Sequence, residues 1–204
     1  MLKDYVLRPA TEKDAREIAQ LIAISSDGVA MIDWMAQADG QNCDPLDIGE
    51  TIYRSSLGNY SYKNALVVEK QNRVAGMLLS FAMPAGSGRE EKSRPDSKNP
   101  NVFAPYMYLE EPDSWYICGI AFYPEHRGQG LGTLLMYEVE VLAIKNHYSK
   151  LSLVAFENNT RSVHLYKKMG YQIVDHAPIV PHPLIPYTGQ ALLMLKQIKD
   201  KPAI

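Results

Sequence analysis

The chain has 204 residues, with 21 Lys plus Arg against 23 Asp plus Glu and a formal net charge of -2, so it lacks the strong positive field of a general nucleic-acid binder. Hydrophobic residues make up 46% and charged residues 22%, which is ordinary globular composition and argues against disorder. Two cysteines, Cys43 and Cys118, form neither a disulfide framework nor a closed zinc site, and the histidines show no close metal-ligand spacing, so no metal is expected. The opening MLKDYVLRPA turns charged at once and no run approaches a membrane span. A cytoplasmic chain with no membrane or nucleic-acid partner is therefore expected.

Tyr5 to Pro9 reads as a short strand ended by its proline. Thr11 is placed to cap a helix whose first turn carries Glu12 and Asp14, and Ala15, Ile18, Ala19 and Ile22 then recur at helical spacing. A second helix is predicted over Val29 to Ala38, with Ile32, Met35 and Ala36 available for packing, and Asn42 to Pro45 breaks it. A third runs from Leu46 to Leu57, before the Gly58-Asn59 turn signal. Two apolar runs, Ala65 to Glu69 and Val74 to Phe81, read as a β-hairpin, a reading that Gly76 weakens.

From Pro84 to Pro112 the composition shifts to Gly, Pro, Ser and charge, which predicts a flexible insertion (84–112), with a short aromatic lid element at Val102 to Tyr108. Trp115 to Phe122 is apolar almost throughout, as a strand covered on both faces should be. A helix over Gly130 to Asn146 follows, with an apolar stripe through Leu131, Leu134, Leu135, Val139 and Leu142. The strand Leu151 to Phe156, a helix from Thr160 to Met169 ended by Gly170, and strands at Tyr171 to Val174 and Gln190 to Lys196 complete the order. One domain spanning 1–204 is expected, built as a mixed α/β sheet with helices packed on its faces.

The segment most informative about chemistry is Glu125-His126-Arg127-Gly128-Gln129-Gly130-Leu131-Gly132, where an apolar strand meets an amphipathic helix. Glycines at 128, 130 and 132 permit tight curvature and close approach of backbone to a ligand. The free amides of the helix start then form an anion cradle that suits a pyrophosphate, to which Arg127 adds charge-assisted contacts. A turn whose glycines serve packing alone is the competing reading. A dinucleotide fingerprint would come after an early strand and read G-x-G-x-x-G, and a nucleotide-triphosphatase loop would place a lysine after the glycines. Neither pattern is present, since Gly132 is followed by Thr133.

This arrangement resembles the GNAT superfamily of acyl-CoA-dependent N-acyltransferases. Arg127, Gly130 and Gly132 match its Arg/Gln-x-x-Gly-x-Gly/Ala motif, after the strand that ends at Phe122. Its second signature, Asn-x-x-Ala-x-x-Leu-Tyr-x-x-x-Gly-Phe, is similar to Asn159, Leu165, Tyr166 and Gly170, with Ser162 in place of alanine and Tyr171 in place of phenylalanine. The opening Leu7 to Ala15 looks like the family's first strand and helix cap.

The resemblance implies a mostly antiparallel central sheet with helices on both faces and splayed central strands. It further implies acetyl-CoA as acyl donor, with its pantetheine arm along Ile120, Ala121 and Phe122. Its pyrophosphate would rest on Arg127, Gly128, Gln129, Gly130, Leu131, Gly132 and Thr133, and Asn159 would fix the arm. Tyr166 would protonate the departing CoA sulfur after direct attack by a primary amine in a ternary complex, a task its phenol suits by remaining protonated at neutral pH. The competing roles are helix capping for Asn159 and packing with Val163 and Met169 for Tyr166.

For a general base the sequence offers Glu69, Glu110, Glu111, Asp113, His182 or a water relay, and selects none. Cys118, inside an apolar strand with no histidine partner, reads as inert. The resemblance places the acceptor beside the first helices, the 84–112 insertion and the 178–188 loop, where Trp34, Tyr106, Tyr108, Trp115 and Tyr187 offer aromatic walls and Asp33, Asp39, Glu110, Glu111 and Asp113 offer negative charge. A small amine is expected rather than a protein acceptor, and a homodimer is allowed. A longer acyl chain, transfer to oxygen, or a non-catalytic CoA-binding regulatory module are the alternatives.

Overall fold

The computed structural model describes residues 4–86 and 101–198. The centre of the expected flexible insertion, 87–100, lies outside the described residues. Among the described residues, seven strands form one sheet: β1 (Tyr5–Pro9), β2 (Ala65–Lys70), β3 (Arg73–Met83), β4 (Ser114–Phe122), β5 (Lys150–Phe156), β6 (Gln172–Pro178) and β7 (Gln190–Gln197), in the order β1-β2-β3-β4-β5-β7-β6. β4 and β5 run parallel, whereas the β1–β2, β2–β3, β5–β7 and β6–β7 pairs are antiparallel. The β4–β5 ladder joins Trp115 to Leu151 and ends at Ile117 and Leu153, as the expected splay requires.

The chain forms two compact units. The first comprises Met1–Ser80, Cys118–Leu135 and Leu184–Pro186, and the second Phe81–Ile117, Met136–Pro183 and Tyr187–Ile204. In the first unit, helices α1 (Ala15–Ser25), α2 (Val29–Ala38) and α3 (Pro45–Arg54) accompany β1 to β3. Ile18, Leu21, Ile22, Trp34, Tyr53, Val67, Met77 and Leu79 make its apolar core, each large side chain contributing roughly 1.5–3 kcal/mol by leaving water.

The predicted stripe of α1 is buried as expected. In α2, however, Trp34 and Ala38 face inward while Met35 is 48% exposed, so Met35 and Ala36 are not the packing face. The reason lies in α3. Gly49 leaves space that the Trp34 ring fills, and a Cβ there would stand 2.8 Å from Trp34 ring carbons. α3 itself starts at Pro45 under an Asp44 cap, whose carboxylate accepts from the Leu46 N–H, and ends at Arg54 rather than Leu57.

The β2–β3 hairpin pairs Lys70 with Arg73 across Gln71 and Asn72, both with positive φ (51° and 61°), as a two-residue turn between twisted strands demands. Gly76, which weakened the strand reading, has a packing cause. A Cβ at this position would lie 2.2 Å from the Phe122 ring and 2.7 Å from the Ala121 carbonyl oxygen.

Near the start of the chain, Arg8 makes paired contacts of 2.9 Å to both oxygens of Asp14 and one of 2.9 Å to Glu69. Asp14 also accepts from the Thr11 N–H (2.7 Å) and hydroxyl (2.9 Å). The Arg8 contact, joined by these Thr11 bonds, holds the Asp14 carboxyl at about 2, against the cost of burial. A depressed folded pKa contributes stability that is present above the unfolded value near 4 and is lost as pH falls towards 2. Asp14→Asn should therefore lower stability by about 1–2 kcal/mol at pH 7, allowing for solvent screening at the partly exposed Arg8. It should also flatten the loss of stability between pH 4 and 2, as urea midpoints measured across that range would show.

The second unit contains α4 (Ala104–Tyr108), α6 (Thr160–Lys168) and most of α5 (Leu131–Lys145), together with β5 to β7. α4 occupies the stretch read as a short aromatic element. Met136, Val139, Ala143, Leu151, Leu153, Leu193 and Met194 are buried here. Ser114 and Ser152, both fully buried, satisfy each other across 2.6 Å. β6 continues to Pro178, past the predicted Val174, because pairing with β7 resumes at Asp175 after an irregularity.

Candidate active site

The phosphate-turn segment belongs to the first unit. β4 ends at Phe122, a single 3-10 turn follows at Pro124–His126, and α5 starts at Leu131. Gly128 and Gly130 adopt left-handed φ of 75° and 83°, and a Cβ built on either meets nothing within 4 Å. Packing therefore does not require these two glycines, but the backbone conformation does. The first ladder bond of α5 runs from the Leu134 N–H to the Gly130 carbonyl at 3.2 Å, so the amides of Leu131, Gly132 and Thr133 precede the ladder. An open, left-handed cradle at the start of a 15-residue helix fits a diphosphate.

The turn is held from both sides. Arg127 Nε donates to the Phe122 carbonyl at 2.9 Å, folding the exposed arginine back on the strand end. This occupies one acceptor site of a carbonyl expected to serve pantetheine, and a carbonyl has two. Tyr5, at the start of β1, is hydrogen-bonded to His126 Nδ1 (3.0 Å) and donates to Gln129 Oε1 (3.1 Å). The Tyr123 hydroxyl donates to Gln20 Oε1 at 2.7 Å. Sequence reasoning missed Tyr5, because no local pattern signals a contact made 121 residues away. Along β4, Ala121 and Phe122 are buried and Ile120 half-buried. Burial pushes the Cys118 thiol up to about 12 and keeps it protonated, which disfavours a thiolate nucleophile.

Asn159 and Tyr166 lie in the second unit. Asn159 does cap α6, its Oδ1 accepting from the Ser162 N–H at 3.3 Å, and this cap uses only the acceptor end of the side chain. Tyr166 is half-buried, three residues beyond the buried Val163, and its backbone carbonyl accepts the Tyr171 N–H at 3.0 Å. The Tyr166 and Tyr171 rings sit 6.0 Å apart, tilted by 55°.

Two candidate bases are held in ion pairs. Glu69 accepts from Arg8 in the first unit, and Glu111 from Lys150 at 2.7 Å in the second. His182 is half-buried and Asp113 exposed. Among the aromatic candidates, Trp34 is core, 3% exposed and edge-on to Tyr53, so it is not a pocket wall. Tyr106 and Tyr187 both pack on Phe156, at 5.9 and 5.1 Å, while Trp115 meets Tyr148 and Tyr108 donates to Asp175 at 3.3 Å. Asp33 accepts from the Gln37 side chain at 2.7 Å, and Asp39 is exposed.

Residues 30–171 match the Acetyltransferase (GNAT) family, and the chain belongs to that family of acetyltransferases. It is 30% identical to thialysine N-epsilon-acetyltransferase of Bos taurus over 87 residues, 40% of this chain and 51% of that protein. It is 35% identical to the Mus musculus protein of the same name over 57 residues, 28% of this chain and 34% of that one. The chain thus spans about half or less of these relatives. The N-acetyltransferase from Staphylococcus aureus Mu50 shares the fold with a TM-score of 0.64 at 22% identity, covering 94% of this chain and 100% of that one. The yncA protein of Salmonella typhimurium, described with its cofactor acetyl-CoA, shares it with a TM-score of 0.59 at 16% identity, covering 98% of each chain. Among the described residues, no helix is long and apolar enough to cross a membrane.

Proposed function

We propose that this acetyltransferase moves an acetyl group from acetyl-CoA to the nitrogen of a small primary amine by direct attack in a ternary complex. The observation that carries the reading is the turn before α5, where two left-handed glycines face open space beside the leading amides of a helix. Family membership supports the donor, and the amine nitrogen named in the thialysine relatives supports nitrogen over oxygen as acceptor.

When bound, acetyl-CoA supplies a thioester carbonyl for attack and a thiolate to leave. The amides of Gly128 to Thr133 would hold its pyrophosphate, with Arg127 adding charge through its terminal nitrogens. Backbone groups of Ile120 and Phe122 would hold the pantetheine amides, and Asn159 would fix the same arm. An N–H at Ile120 or Ala121 would donate to the negative charge that develops on the acyl oxygen. Tyr166 would give its phenolic proton to the sulfur, and the proton lost by the amine would pass to water.

Calorimetry with acetyl-CoA tests this directly. The native chain should bind, and Gly130→Trp, whose indole fills the open side of the turn, should weaken binding at least about a hundredfold while keeping its circular dichroism spectrum. An amine panel read by free-thiol release then defines the acceptor. Binding without thiol release for any amine would leave a CoA-binding module, and absence of binding by acetyl-CoA, longer acyl-CoAs and free CoA would overturn the assignment.

A further inference from the structure

The turn before α5 faces open space. Gly128 and Gly130 have nothing packed against them, and glycine backbone is the least restricted of all, so packing does not hold these two residues in their left-handed shape. Tyr5 reaches the turn from β1. Its hydroxyl meets the segment on both sides of Gly128, at His126 Nδ1 (3.0 Å) and Gln129 Oε1 (3.1 Å), and all three side chains are half-buried. The Tyr5 ring is held in turn. Lys70, its partner in the β1–β2 ladder, places Nζ 4.9 Å from the ring centroid, and the His126 ring meets it edge-on at 5.8 Å. All of these residues belong to the first unit.

Donor and acceptor counting then places each proton of this contact. The Glu125 carbonyl can only accept, so Gln129 turns Nε2 towards it at 3.3 Å and Oε1 towards Tyr5. Oε1 can only accept as well, so the single phenolic proton of Tyr5 goes to Gln129. The Tyr5 oxygen is left to accept from His126, whose Nδ1 must carry the hydrogen. We propose that Tyr5 is a positioning residue for donor binding. It fixes His126 in the Nδ1–H form and Gln129 in one orientation, and so holds the Gly128 turn in its binding shape before acetyl-CoA arrives. The inference rests on the acetyl-CoA reading proposed above. The effect originates in the free chain, because a turn that spends only part of its time in the competent shape binds with its affinity reduced by that fraction.

The test compares Tyr5→Phe, Gln129→Ala and the double variant with the native chain. Tyr5→Phe keeps the ring and its contacts with Lys70 and His126, so the thermal midpoint should stay close to native. Long-range 1H–15N spectra of the imidazoles, taken without donor at about pH 8.5 where an ordinary imidazole is neutral, read the tautomer directly. His126 should carry its hydrogen on Nδ1 in the native chain and lose that preference in Tyr5→Phe. By calorimetry, Tyr5→Phe should weaken acetyl-CoA and free CoA alike by about tenfold, the scale of one or two lost hydrogen bonds, because the turn takes the diphosphate and not the acyl group. Gln129→Ala should act in the same direction, and the two losses should not multiply in the double variant. A native His126 with its hydrogen on Nε2 would overturn the proposal, as would a Tyr5→Phe affinity within about twofold of native or losses that multiply. Absence of acetyl-CoA binding by the native chain would instead bring down the donor reading, and the inference with it, whatever the tautomer.

Discussion

Tyr166→Phe is expected to lower kcat at least about a hundredfold, the usual scale for losing a positioned general acid, while leaving the acetyl-CoA Kd within about twofold. The substitution removes one oxygen and keeps the ring. The contact with Tyr171 and the backbone bond at the end of α6 depend on the ring and the main chain, so the fold should persist. Loss should fall on kcat rather than on amine KM, because in the proposed mechanism the phenol acts when the sulfur leaves and not when the amine docks. Free-thiol release at saturating donor across a pH series is the measurement. A kcat within threefold of native would make Tyr166 a packing residue beside Val163, and would require water or another group to protonate the thiolate.

The second large effect concerns stability, and it separates two glycines with the same backbone hand. Gly28, between α1 and α2, has φ of 96°, and a Cβ there would lie 2.0 Å from the Leu184 backbone oxygen and 2.9 Å from its carbonyl carbon. Backbone cannot rotate away as a side-chain tip can, so either the late loop or the helix junction must move. Gly28→Ala should cost about 3–5 kcal/mol, combining left-handed strain with a backbone clash. Gly128→Ala carries the same sign of φ but meets nothing within 4 Å, and should cost only about 1 kcal/mol. Urea denaturation of the two variants decides the matter. Equal losses would mean that strain alone sets the cost and that Leu184 does not press on Gly28. The contact also anchors the late loop within the first unit, where Ile185 is buried.

These two glycines mark the boundary of what a linear reading reaches. The glycines of the phosphate turn, the helix start after β4 and the motif around Tyr166 are local patterns. Backbone hand, leading amides and helical spacing arise within a few residues, so the family, the fold class and the outline of the turn were legible from residue order. The stripe of α1 and the two-residue hairpin turn were legible for the same reason, since periodicity and turn chemistry act at short range. Other features depended on which distant segments meet. Trp34 is core because Gly49 of α3 vacates space for its ring, and Met35 is exposed as a consequence. Glu69 is tied to Arg8 across 61 residues, and Tyr5 holds the phosphate turn across 121 and 124.

By itself the sequence determined the order of elements, the glycine turn proposed to cradle a diphosphate and the presence of a phenol in the second motif. Only the tertiary structure decided where the β4–β5 ladder stops, which carboxylates are already paired, and that the Tyr171 hydroxyl is buried without a partner among the described residues. The physical reason is range. Propensity, capping and turn geometry are set by neighbours along the chain, whereas burial and hydrogen-bond satisfaction are set by whatever the fold packs alongside.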